Sequence, residues 1–269
     1  MTHNSTDPIY QAEFKNHKLF SKLKEMEEFY DRLAFSTFTF KTMGTHTFWN
    51  IDSMIYDSIK GTLESIRNTA KNGRFNDSYS LLRKYYDSIM TNVYATQYLK
   101  DNFSIENFVV KKIENWLNGT EKLPEYRIMS TYIRQSKNLV EINKLLFEKD
   151  NRYKEIRDRC NNHTHYNFFK YVLLNNNTIH LVNRIKELDV LLNDIEQLFV
   201  MHLTYTFYLN DAYMMSSDYM DYMDIGMTPE EGCQYNVAPF IQEIFNRFLT
   251  KMRPDIANLI KLNTSMRLE

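Results

Sequence analysis

The run IHLVNRIKELDVLLNDIEQLFVMHLTYTFY, residues 179–208, decides the fold class. Leu181, Ile185, Leu188, Leu191, Leu192, Ile195, Leu198 and Phe199 recur every three or four residues, the spacing that gathers side chains on one side of a helix. Thr178 stands just before the run, where a hydroxyl can cap the first turn, and Asn175-Asn176-Asn177 reads as the loop leading in. So long an amphipathic helix needs neighbours that bury its apolar stripe, and the rest of the chain supplies them.

Working outward, the same period appears from Ile9 to about Phe38, through Phe14, Leu19, Leu23, Met26, Phe29, Tyr30 and Leu33. It returns from about Phe48 to Ala70, where Lys71-Asn72-Gly73 offers a stop, and from Asn76 to about Leu99. Further helices are expected over Ile105–Leu117, over Tyr126–Lys149, in a short piece carrying Tyr153 and Ile156, over Pro239–Met252, and after Pro254. The β-branched stretch Thr37 to Thr47 reads as a loop. With 6 Gly and 5 Pro in 269 residues, the chain lacks the turn residues that many short strands need. The expectation is an all-α helical bundle, one domain over residues 1–269, with additional N- and C-terminal helices. Residues 211–269 form the C-terminal extension; its Met- and Tyr-rich part, 211–236, is expected to be core.

Bulk composition narrows the function classes. The net charge of -1 provides no global attraction to nucleic acid, so any RNA contact must come from a local patch. Cys160 and Cys233 make no disulfide framework, the N-terminus has no secretory pattern, and no apolar run is long enough to span a bilayer. A cytoplasmic protein with no membrane partner is expected. No glycine-rich phosphate loop is present, which argues against an NTPase.

Chemistry-bearing residues crowd into one place, Ile156-Arg157-Asp158-Arg159-Cys160-Asn161-Asn162-His163-Thr164-His165-Tyr166-Asn167. Arg157 and His163 are separated by five residues, and so are Arg159 and His165. On an unbroken helix Arg157 and His163 would point about 120° apart, so joint action requires a break near Asn161-Asn162. Asp158, Cys160, His163 and His165 are all metal-ligand types, but no Cys-x-x-Cys or His-Glu-x-x-His companion accompanies them, and no metal or other cofactor is expected. An Arg-Asp-Arg run is also what a solvated, salt-bridged helix face looks like.

The two Arg-x5-His spacings in an all-helical chain resemble the motif of the HEPN superfamily, helical domains that include metal-independent ribonucleases of bacterial toxin and defence systems. The resemblance covers roughly residues 125–208. The family's polar residue after the Arg is matched by Asp158 and not by Cys160, so the resemblance favours Arg157, Asp158 and His163 as the catalytic set and keeps Arg159 with His165 as the second register. It implies an RNA endonuclease in which His moves protons and Arg stabilises phosphate charge, with Asn161, Asn162, Tyr166 and Asn167 positioning the substrate. It further implies a homodimer with the motif at the two-fold axis, RNA as substrate and an antitoxin or regulatory protein as partner. The rival reading is a non-catalytic helical module that binds nucleotide, RNA or protein.

Overall fold

Helix follows helix from Ala12 to Asn263 in this computed structural model, which describes residues 8–38, 45, 50–149, 151–175, 183–216 and 235–269. The helices are α1 (Ala12–Lys15), α2 (Lys18–Phe38), α3 (Ile51–Lys71), α4 (Phe75–Asn102), α5 (Lys111–Leu117), α6 (Tyr126–Gln135), α7 (Val140–Phe147), α8 (Arg152–Thr164), α9 (Phe169–Leu173), α10 (Arg184–Leu209), α11 (Pro239–Ile244) and α12 (Pro254–Asn263). The fold is all-α. Among the described residues the strands are two dipeptides, β1 (Tyr235–Asn236) and β2 (Met266–Arg267), paired in parallel.

Several expected helices prove shorter or divided. The N-terminal one breaks at Asn16-His17, where His17 accepts a hydrogen bond on Nδ1 from the Leu19 amide. The Tyr126–Lys149 run splits at Ser136, which leaves the helical region with ψ at 126°. A 3-10 turn, Lys137–Leu139, then leads into α7. Of the expected Ile105–Leu117 helix, residues 105–110 are irregular and α5 begins only at Lys111. Past α11 the chain continues as a π-helical stretch, Phe245–Thr250. The expected cap Thr178 and most of the Met/Tyr-rich segment lie outside the described residues; Met214, inside them, is buried.

The chain forms two compact units, each assembled from three separate stretches. The first comprises Met1–Ala34, Ser53–Ile89 and Asp150–Phe199; the second comprises Phe35–Asp52, Met90–Lys149 and Val200–Glu269. The segment 125–208 is therefore divided, with residues 150–199 in the first unit. The long helices α4 and α10 each contribute to both units.

In the first unit the core is aromatic. Tyr30 and Tyr85 share a hydrogen bond of 3.0 Å between their hydroxyls, and Phe29 and Tyr30 both meet Phe199 edge-on. Burial raises the pKa of both tyrosines, as expected where a phenolate would lack water. Arg67 of α3 grips Glu27 of α2 through two hydrogen bonds of 2.7 and 3.0 Å.

The second unit carries a buried polar node. Asp52 accepts hydrogen bonds from Asn92 Nδ2 at 2.7 Å, Thr96 at 3.1 Å and Tyr213 at 3.0 Å, while Asn92 Oδ1 meets His202 Nε2 at 2.9 Å. These bonds replace the water that a buried carboxylate would otherwise lose.

Candidate functional site

Helix α8 carries nearly all the residues singled out in the sequence, and its neighbours within the first unit are α4, α9 and α10. Tyr153, Ile156, Cys160 and His163 are buried. They recur at steps of three, four and three residues, so His163 occupies the next place in the apolar stripe. The helix runs unbroken from Arg152 to Thr164. The break expected near Asn161-Asn162 is absent, because that stripe packs along its whole length.

A second stripe on α8 faces α4 and is polar. Thr164 and Ser80 hydroxyls are 3.1 Å apart, Arg83 Nη1 donates to Asn161 Oδ1, and Arg157 Nη1 donates to Asp87 Oδ1 at 3.0 Å. Moving along α4 from 80 to 83 to 87, the partners on α8 run from 164 to 161 to 157. The helices are thus antiparallel, and the steps of three and four keep each pair in register. Arg83 Nε also donates to Asp87 Oδ2 at 3.0 Å, so one carboxylate receives two guanidiniums. The Arg157 guanidinium lies 5.9 Å from the centroid of Tyr86.

His163 is sealed in. It is 1% exposed and stacks on Tyr79 with ring centroids 3.8 Å apart and 14° between planes. Its Nδ1 is 2.8 Å from Asn76 Oδ1. Asn76 gives its Nδ2 to the Tyr171 carbonyl, so its oxygen faces His163 and the imidazole carries the proton on Nδ1. Burial, with the charges of Arg159 and Lys170 nearby, pushes the His163 pKa down to about 3. In this arrangement His163 is a neutral structural group that joins α8 to the start of α4 and to α9.

His165 is different. It is exposed and forms the C-cap of α8. The helix ends with the Asn167 amide donating to the Asn162 carbonyl and the Tyr166 amide to that of His163, the paired closure that usually places glycine in the left-handed residue. Here Tyr166 takes that place, with φ at 49°. Asn167 Nδ2 donates to Asn162 Oδ1 at 2.8 Å, tying the turn to the helix.

Arg159 points toward α10, where it meets Asp194 with hydrogen bonds of 2.6 and 3.2 Å. Asp194 is fully buried, and burial raises its pKa despite the facing guanidinium. Arg152 reaches Gln197 on the same helix at 2.6 Å. Asp158 is exposed, and the carboxylate that meets Arg157 is Asp87. The structure therefore brings Arg157, Asn161 and Thr164 together on one seam, buries His163 in the apolar stripe, bonds Arg159 to Asp194 of α10 and leaves Asp158 exposed.

The sequence reading gives Ser80, Arg83, Asp87, Asn76 and Tyr79 no role in the site. Their only signal is that Asn76, Ser80, Arg83 and Asp87 recur at steps of four, three and four, a polar stripe beside the apolar one of α4. Cys160 is buried with its thiol pKa pushed up to about 12 by burial, so it is a small apolar filler. Among the described residues, no three His, Cys, Asp or Glu side chains stand close enough to hold a metal ion. No described helix is long and apolar enough to cross a membrane. Comparison with protein-family models, with curated proteins and with solved structures gave no match.

Proposed function

We propose that this chain is a metal-independent RNA endonuclease of the HEPN type, and that its proton-transfer group is His165, from the second register, in place of His163. The observation that carries the choice is the contrast between the two imidazoles: His165 is exposed at the end of α8, whereas His163 is 1% exposed and held by Asn76 and Tyr79. An exposed imidazole keeps access to substrate, which a sealed one lacks.

In this reading His165 takes the proton of an RNA 2′-hydroxyl. The freed oxygen attacks the adjacent phosphorus, the bond to the 5′-oxygen breaks, and that oxygen leaves with a proton taken from solvent, to which His165 later returns its own. The products are a 2′,3′-cyclic phosphate and a 5′-hydroxyl. Arg83 and Arg157, which both donate to Asp87, are the guanidiniums that would bind the phosphate. A homodimer would bring a second such set to the same strand.

The second reading, a non-catalytic binding module, is favoured by Arg157 already being matched to Asp87. One experiment separates the two. Purified protein is incubated with RNA in excess EDTA, and the ends of any fragments are analysed. Cleavage to cyclic phosphate ends, abolished in His165→Ala, supports the nuclease. RNA retained but intact supports the binding module.

A further inference from the structure

We propose that Tyr166, Phe168 and Phe169 form a platform on which unpaired bases of RNA stack beside His165, so that these rings select single-stranded over duplex substrate. The inference rests on the RNA reading above and adds to it the residues that would hold the bases.

Three aromatic rings stand in solvent within four residues: Tyr166 at 48%, Phe168 at 56% and Phe169 at 74% exposure. Rings so exposed bury little surface in the core, and apolar side chains clustered on a surface usually mark a contact. Tyr166 adds a second oddity. It holds the left-handed position that closes α8, with φ at 49°, where glycine would sit without a side-chain penalty. Its ring is not buried, so packing does not compensate for the strained backbone, and such strain commonly marks a working residue.

The platform has a rigid footing. Tyr79 stacks on His163, His163 lies 4.2 Å from Tyr171 between centroids, and Tyr171 meets Phe168 at 5.9 Å. A continuous column of rings thus runs from the buried Tyr79 out to the exposed Phe168. Asn76 locks the column by bonding both the His163 ring and the Tyr171 carbonyl. His163 is in this view a positioning residue for the platform.

Charge selects the occupant. From Cys160 to Asn175 there is one Lys and two His and no Asp or Glu; the acids that act on this stretch come from elsewhere, Glu187 of α10 on Lys170 and Asp77 of α4 on Asn175. An acid-free stretch that pairs exposed flat rings with Lys170 suits a polyanion with planar bases; each base–ring stack is sequence-tolerant and its loss weakens binding about tenfold.

The test measures fluorescence anisotropy of the full chain with a 2′-O-methyl oligoadenosine of about twelve nucleotides, which resists cleavage, free or annealed to its complement. The expected result is tighter binding of the single strand, lost tenfold or more in Phe168→Ala/Phe169→Ala and restored to within threefold in Phe168→Tyr/Phe169→Tyr, with duplex binding little changed. Tyr166→Gly should raise the thermal midpoint while weakening single-strand binding. If wild type binds and cuts RNA but the alanine pair binds the single strand as wild type does, the platform is wrong and the nuclease reading stands. If wild type neither binds nor cuts RNA, both fail. A shift of the alanine pair from dimer to monomer in sedimentation would overturn the platform in favour of a seat for a second copy of the chain.

Discussion

Arg157 and Asp87 lie 3.0 Å apart on facing helices, and Asp87 at the same time accepts from Arg83, so Asp87 keeps a guanidinium partner when Arg157 is removed. Asp87 is 43% exposed, and exposed ion pairs contribute little. Arg157→Ala should therefore lower stability by about 1 kcal/mol or less in urea denaturation. If the cluster holds phosphate, RNA cleavage should fall far more than that, by about a hundredfold. A loss of activity no larger than the loss of folded protein would remove Arg157 from the site.

Arg159 offers the opposite case. Its partner Asp194 has no exposed side-chain surface, so removing the guanidinium leaves a buried, uncompensated carboxylate. Arg159→Ala should cost about 3 kcal/mol. Arg159→Ala/Asp194→Asn should recover a good part of that cost, because the replacement amide carries no charge. Thermal melts of the single and double variants check this, and equal midpoints would contradict it.

The buried imidazole of His163 gives an acid limb to stability. Its folded pKa is about 3 against an ordinary value of 6.5, so between those values the unfolded chain binds the extra proton. Stability is then complete above about pH 6.5 and falls as pH drops toward 3, by about 3 kcal/mol at pH 4. His202, buried in the second unit with its pKa likewise near 3, adds a limb of the same sign. His163→Phe keeps the ring stack on Tyr79 but cannot titrate, so its urea midpoint should vary less between pH 7 and pH 4 than that of wild type. An unchanged pH slope would show that His163 is accessible in solution.

Cys160 should resist alkylation. Its thiol is buried and its pKa is pushed up to about 12, so almost no thiolate exists at pH 8. In a Cys233→Ser background, iodoacetamide should label the native chain only at the rate of unfolding and label it at once in urea. Rapid labelling of the folded chain would mean that the α8 stripe opens.

From the sequence alone the helical class was legible, because apolar residues at steps of three and four in a chain poor in Gly and Pro leave few other ways to bury them. His163 was also open to a stricter reading: Tyr153, Ile156 and Cys160 already set a buried stripe whose next member is residue 163. The motif spacing drew attention to that histidine for its chemistry, while the periodicity placed it in the core. What only the tertiary structure decided is who faces whom. Asp87 and Arg157 lie seventy positions apart in the chain, as do Asn76 and His163 eighty-seven apart. Helical period determines which side of α8 each residue occupies, but not which neighbour that side will meet. That choice belongs to the packing of α8 against α4, α9 and α10, where a charge finds its partner or a ring its stack only after the backbone has brought distant turns together.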